Sequence, residues 1–255
     1  MNGFGGHIPC TPTKTAGTIR PDDLWVGGWA GAIQHFNGIT WTGVGFGLSN
    51  LHHIITGMWG MSSGSIWATA DSGLIIKHNN AQALEGGWQQ IATGSPYDLE
   101  DIWGSKADDI YAVGERGTIL HYSGKTWDPV ASIPTNQTLN AIWGSGPDDI
   151  FVVGDWGVIL HYDGVHWSLQ TNTSNQHLFD VWGFNGQDVY AAGFSGTILH
   201  YDGLTWTPEI TGSTQDLLSV WGTQDLSAGK KIVWASGNGK TILKQDFDEA
   251  LSSIK

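Results

Sequence analysis

Apolar residues come in short runs separated by aspartate and glycine, and within a run both faces of an extended chain are apolar. In Asp109-Ile110-Tyr111-Ala112-Val113, Ile110 and Ala112 fall on one face and Tyr111 and Val113 on the other, because side chains alternate along a strand. A strand of this composition needs cover on both sides, as in a sheet sandwiched between two neighbours. Thr118-Ile119-Leu120-His121-Tyr122 follows as another run rich in β-branched and aromatic residues. Asp-Gly pairs such as Asp163-Gly164 mark hairpins and predict type I′ turns, with positive φ at both central positions. The pattern predicts four short strands per unit.

The unit recurs about every 40 residues, the signature of a repeat array or propeller. Residues 99–127, 139–167 and 178–206 superimpose without a gap, so that Gly117-Thr118-Ile119-Leu120-His121-Tyr122 falls on Gly196-Thr197-Ile198-Leu199-His200-Tyr201. Further copies open at Trp59-Gly60 and at Trp221-Gly222, the latter with an insertion around 227–231, and residues 22–41 match 108–127. Six copies, near 1–42, 43–92, 93–131, 132–171, 172–211 and 212–255, predict an all-β fold. The expected architecture is a single six-bladed β-propeller domain with four-stranded antiparallel blades. The first copy lacks its Trp-Gly strand and the sixth its hairpin tryptophan, so residues 1–19 are expected to join the C-terminal segment and close the ring.

Aromatic columns follow from this geometry. Trp25, Trp67, Tyr111, Phe151, Tyr190 and Trp234 share one position of the second strand and are expected to fill the widening gaps between blades. Packing is equally expected of the Trp-Gly tryptophans 59, 103, 143, 182 and 221 and of the hairpin tryptophans 41, 88, 127, 167 and 206. His35, His121, His161 and His200 form another column, which a propeller spreads around a ring, far beyond the ~2 Å reach of a shared zinc. They predict structural histidines and no metal site. His53 and His177 lie in connectors that could flank a pocket, with no nucleophile beside them.

The string Leu-x-x-Ile-Trp-Gly-Ser-x-x-Asp-Asp-Ile-Tyr-Ala-Val-Gly-x-x-Gly-Thr-Ile-Leu-His-Tyr-x-Gly-x-x-Trp, carried by residues 99–127, resembles the bacterial Trp-Gly-Ser type propeller repeat. That repeat is related to Asp-box and photosystem-assembly-factor-like propellers. The resemblance spans roughly residues 22–245 and implies the fold. It implies a range of roles, from glycan-binding modules and assembly factors to parts of extracellular enzymes and of phage or secreted surface proteins. Asp-box propellers have one residue between Asp and Gly, whereas Asp163-Gly164 and Asp202-Gly203 are adjacent here. Sialidases of that type use three arginines, and six-bladed fucose lectins use one per repeated site; this chain has only Arg20 and Arg116.

Net charge is −13 and the pI near 4.9, which removes the attraction to phosphates that drives nucleic-acid binding and adhesion to anionic membranes. No run approaches a transmembrane span. One cysteine, Cys10, excludes an intrachain disulfide, and the first residues carry no basic or apolar leader pattern; the compartment stays open. Most aspartates sit in repeated turns, and the unrepeated acids Glu85, Glu100, Glu115 and Glu209 form no glycosidase pair. The expectation is no enzyme and no cofactor.

The copies disagree at the tips between the second and third strands: Trp29-Ala30, Asp71-Ser72, Glu115-Arg116, Asp155-Trp156, Phe194-Ser195 and Asn238-Gly239, each set in a Gly-x-x-Gly frame. In a propeller these turns share a face with the connectors between blades, and a fixed frame with variable tips suits a binding face. Trp29, Trp156 and Phe194 are candidate exposed rings, with Asp71, Glu115, Arg116, Asp155 and Asn238 as polar neighbours. The expected function is a non-catalytic recognition module for glycans; the alternative is a protein-interaction scaffold, such as an assembly factor or a phage tail or surface component, with a polysaccharide-active enzyme as the third reading.

Overall fold

The computed structural model describes residues 24–43, 53–60, 65–79, 87–225 and 230–248. They form six antiparallel sheets in chain order, every strand pairing with its sequence neighbour. Sheets 2 to 5 have four strands; in sheet 3 these are Leu99–Lys106, Asp109–Gly114, Thr118–Tyr122 and Trp127–Pro129. Sheet 1 (Leu24–Gly27, Ile33–Phe36, Trp41–Gly43) and sheet 6 (Leu217–Asp225, Lys230–Gly237, Thr241–Asp248) have three. Four strands in every copy is thus corrected for the two ends among the described residues. The expected pairing of residues 1–19 lies outside the described residues. Consecutive sheets touch chiefly through their first strands, which places these innermost.

The Trp-Gly dipeptide has a mechanical meaning. The indole of each copy lies on the glycine of the next: a Cβ at Gly104 would stand 2.9 Å from Trp59, at Gly144 2.6 Å from Trp103, at Gly183 2.8 Å from Trp143 and at Gly222 2.7 Å from Trp182. Only a residue without a side chain leaves room for the ring. A second contact runs the opposite way. Hairpin tryptophans 88, 127, 167 and 206 meet the second-strand aromatics Trp25, Trp67, Tyr111 and Phe151 of the preceding sheet nearly edge-on, at 5.7–6.2 Å between ring centres. Phe247 on the third strand of sheet 6 stands in at Tyr190. Burying each such side chain contributes about 1.5–3 kcal/mol.

Two of the expected packing tryptophans depart from this. Trp41 and Trp221, in the first and last sheets, are about half exposed. The insertion in the sixth copy lengthens the strand pairing, with Gln224 opposite Lys231 and Asp225 opposite Lys230.

The hairpin turns are also corrected. Only Gly164 has positive φ (89°), and Asp163 precedes it, which is the pattern of a type II′ turn with glycine at its first central position. Asp163 instead accepts from the backbone N–H groups of Val165 and His166, and Asp202 does the same for Leu204 and Thr205. These bonds hold both carboxyls below the usual carboxylate range.

The histidine column is structural. His121, His161 and His200 stack on Tyr111, Phe151 and Tyr190 at 4.2–4.4 Å and contact Asp109, Asp149 and Asp188 through Nε2. Ser105 and Ser145 donate to the other oxygen of the same aspartates. Serine therefore bonds aspartate rather than histidine, so the imidazole is not placed to take the serine's proton.

The indole-on-glycine contact is checked by Gly144→Ala, expected to cost about 2 kcal/mol in chemical denaturation. Gly146→Ala, with open space around it, should be neutral. In a double-mutant cycle, Trp103→Leu should remove most of the Gly144→Ala penalty.

Candidate functional site

The site begins as a backbone irregularity. In sheets 2 to 6 the first strand slips out of register after its opening residue, between Ile55 and Gly57, Leu99 and Asp101, Leu139 and Ala141, Leu178 and Asp180, and Leu217 and Ser219. Each slip is a β-bulge, which turns the extra residue's side chain away from the ladder. The residues are Thr56, Glu100, Asn140, Phe179 and Leu218, and all five line one cavity of about 530 Å³. Trp29 from sheet 1 completes the circuit, with Asp71, Asp98, Asp101, Asp216 and Asn238 around the mouth.

The tips stand around this mouth, tied to the connectors. Glu115 N–H donates to the Asp98 carbonyl and Gly117 N–H to that of Gln137; Phe194 and Asn238 repeat the first bond with His177 and Asp216. The connector passes so close that a Cβ on Gly117 would lie 2.3 Å from the Thr135 carbonyl oxygen, and the same glycine holds φ at 71°. The residue before it is left-handed as well: Ala30, Ser72, Arg116, Trp156 and Ser195 have φ between 54° and 58°. That costs a non-glycine residue about 1–2 kcal/mol. The sixth tip departs from the expected frame, with Gly239 and Lys240 in the two left-handed positions.

Most polar groups at the tips are engaged. Asp71 accepts from the Ile54 N–H and contacts His53 Nδ1 at 2.7 Å; Asp155 accepts from Asn140 Nδ2 and contacts His177 Nδ1 at 2.9 Å. Asp98 and Asp216 accept from the N–H groups of Ser72 and Ser195. Asn238 donates to Asp216, and Glu115 accepts from the Asp98 N–H. Exposed Arg116 lies over the Tyr97 ring at 5.4 Å.

The rings form a track. Trp156 meets His177 at 4.8 Å, His177 meets Phe194 at 5.8 Å, and Phe194 meets Phe179 at 5.8 Å, leading from an outer tip into the cavity. Trp29, Trp156 and Phe194 are 51%, 63% and 42% exposed.

Glu100 is the exception among the acids. Burial, and after it the negative charges of Asp98, Glu115, Asp101 and Asp155, push its carboxyl from the ordinary 4.5 to about 7. No hydrogen bond or cation is among the influences on it. Asp101 beside it is buried and accepts from the Ile142 N–H of the next sheet, as Asp180 does from Val220. Among the described residues, no three His, Cys, Asp or Glu side chains converge as a metal set.

Solved structures share this architecture. YCF48 from Cyanidioschyzon merolae aligns with a TM-score of 0.65 at 12% identity, over 90% of this chain and 83% of that one. The WD40 propeller domain of Doa1 aligns at 0.68 and 10%, over 89% and 75%, and Saccharomyces cerevisiae Sqt1 at 0.64 and 12%, over 88% and 68%. The fold is that of a β-propeller. A YCF48 structure bound to D1 peptide aligns at 0.50 and 15% identity, over 94% and 93%. No protein-family model matches the sequence, nor does any curated protein.

The sheets are thus blades, and residues from all six line this one cavity. Of the residues singled out from sequence, Trp29, Asp71 and Asn238 line it; Phe194 and Trp156 reach it through the ring track; Asp155 and Glu115 act on Glu100 through their charge. Arg116 lies outside the lining. The bulged residues were missed as a set, although the copies disagree there as openly as at the tips: Thr56, Glu100, Asn140, Phe179 and Leu218 each follow a constant Leu or Ile.

Glu100 makes a pH-dependent prediction. Its folded pKa is raised, so its contribution to stability is fully present below about 4.5 and is lost as pH rises through about 7. Glu100→Gln escapes that loss. Its melting temperature should match wild type at pH 4.5 and exceed it by ~5 °C at pH 8, followed by calorimetry.

Proposed function

We propose that this chain is a closed six-bladed propeller that works without catalysis, as an interaction module holding a segment of a protein partner across its channel mouth. The carrying observation is the continuous ring track from Trp156 to Phe179, which joins an exposed surface to the cavity. Exposed rings leading to a concave, partly apolar centre suit the anchors of a protein interface. The left-handed backbone at Trp156 supports the same reading, because a bulky ring is kept where glycine or asparagine would sit more easily.

The glycan reading loses its footing in the hydrogen bonds. A sugar site needs acids or amides free beside a ring, whereas Asp71, Asp155 and Asn238 already bond within the protein. A peptide requires less of them, since rings and a cavity can hold its side chains. The YCF48 relative bound to D1 peptide gives the same direction.

The test is panning a random peptide library against wild type and a Trp156→Asn/Phe194→Ala variant, beside a glycan array. Asparagine tolerates the left-handed position, so the variant should fold. Wild type should enrich peptides whose affinity falls about tenfold or more in the variant, with the glycan array silent. Glycan binding lost in the variant, or no peptide that depends on these rings, would overturn the reading.

A further inference from the structure

We propose that the partner segment is cationic, and that the channel mouth receives a lysine or arginine side chain between Glu100 and the ring of Phe179. This rests on the peptide-binding reading above and names the chemistry of the peptide.

The cavity is chemically lopsided. Glu100, Asp98 and Asp101 come from the third blade and Asp71 from the second, whereas Phe179 and Leu218 come from the fifth and sixth. Bulges on blades 3 and 5 aim Glu100 and Phe179 into the same space. Among the described lining residues there is no lysine or arginine, so Glu100 faces the neighbouring carboxylates with no cation in the lining to offset them. Arg116 is occupied outside the lining, over Tyr97. A long cationic side chain answers both halves: its head meets the carboxylates, and its stem or guanidinium plane lies on an aromatic face. A neutral apolar side chain would satisfy only one wall and leave Glu100 opposed by the acids around it.

The groups around Glu100 make the arrival of a cation visible as proton release. Asp98 and Asp101 on its own blade, Glu115 on the tip above and Asp155 on the tip of blade 4 all disfavour its charge. On the blade 2 side, Asp71 is paired with His53, and His177 sits on Asp155. A bound ammonium or guanidinium supplies the missing counter-charge and lowers the Glu100 pKa, so that binding near neutrality expels a proton.

The experiment uses the peptides enriched by wild type, synthesised in their original form and with each Lys or Arg replaced by norleucine. Enriched peptides should carry Lys or Arg beside an apolar residue, and norleucine replacement or Glu100→Gln should each weaken binding about tenfold. Titration calorimetry in two buffers of different ionisation enthalpy should detect release of about half a proton at pH 7 in wild type and none in Glu100→Gln. Peptides that depend on Trp156 and Phe194 but show no excess of Lys or Arg, or that bind Glu100→Gln as tightly as wild type, would overturn the cationic assignment and leave the peptide reading standing. Absence of any ring-dependent peptide would instead remove the peptide reading and this inference with it. Melting curves of Glu100→Gln separate a lost contact from a lost fold.

Discussion

The indole of one blade lying on the glycine of the next is the contact on which the rest of the molecule depends. It is a contact between consecutive units, repeated at Gly104, Gly144, Gly183 and Gly222, and it sets how closely neighbouring sheets approach. Repeat units of this kind cannot bury their faces alone, so such contacts carry much of their stability. The hairpin tryptophans lock the same interfaces from the opposite direction. Two contacts of opposite sense resist both sliding and splaying, which a single one would not.

With the blades locked, local irregularity becomes affordable at the other end of the strands. A bulge in an isolated hairpin would loosen its register, yet here the same bulge recurs in five blades and their backbones are held by carbonyls and N–H groups of adjoining connectors. Buried Asp101 and Asp180 reach across to N–H groups of the following blade, and a side chain at Gly57 would meet Asp101 at 2.8 Å. The molecule divides into a repetitive half that holds the blades and an irregular half in which each blade presents something different.

That division explains what could be read from sequence. The all-β propeller fold, the six antiparallel sheets among the described residues and the packing roles of Trp103, Tyr111, Trp127 and His121 were legible, because identical demands in every unit write identical residues. The tips were legible as exceptions within a repeated frame. The channel set was not, because a bulge is a property of backbone pairing: an alternating-strand reading assigns Glu100 and Phe179 to a sheet face and never to the axis. The hairpin turns failed for a related reason, since Asp163 serves as a side-chain acceptor for the turn rather than as one of its central residues. Trp41 and Trp221 were misjudged: they sit in the first and last sheets, and about half of each side chain is exposed.

Glu100 brings these threads together. A carboxyl half-buried among four others, with no compensating cation among the described lining residues, is a local conflict of the sort that a chain selected for stability alone would remove. Asparagine at the equivalent position of blade 4 shows the cheap alternative: Asn140 donates both to Asp155 and to the Leu178 carbonyl, and so stabilises its surroundings. Threonine in blade 2 does likewise, donating to the Leu99 carbonyl. The fold thus accepts a neutral, satisfied group at this bulge wherever one is present. Glu100 in blade 3 departs from that pattern, and the proposed cationic side chain of a partner would supply the counter-charge that the described lining residues do not.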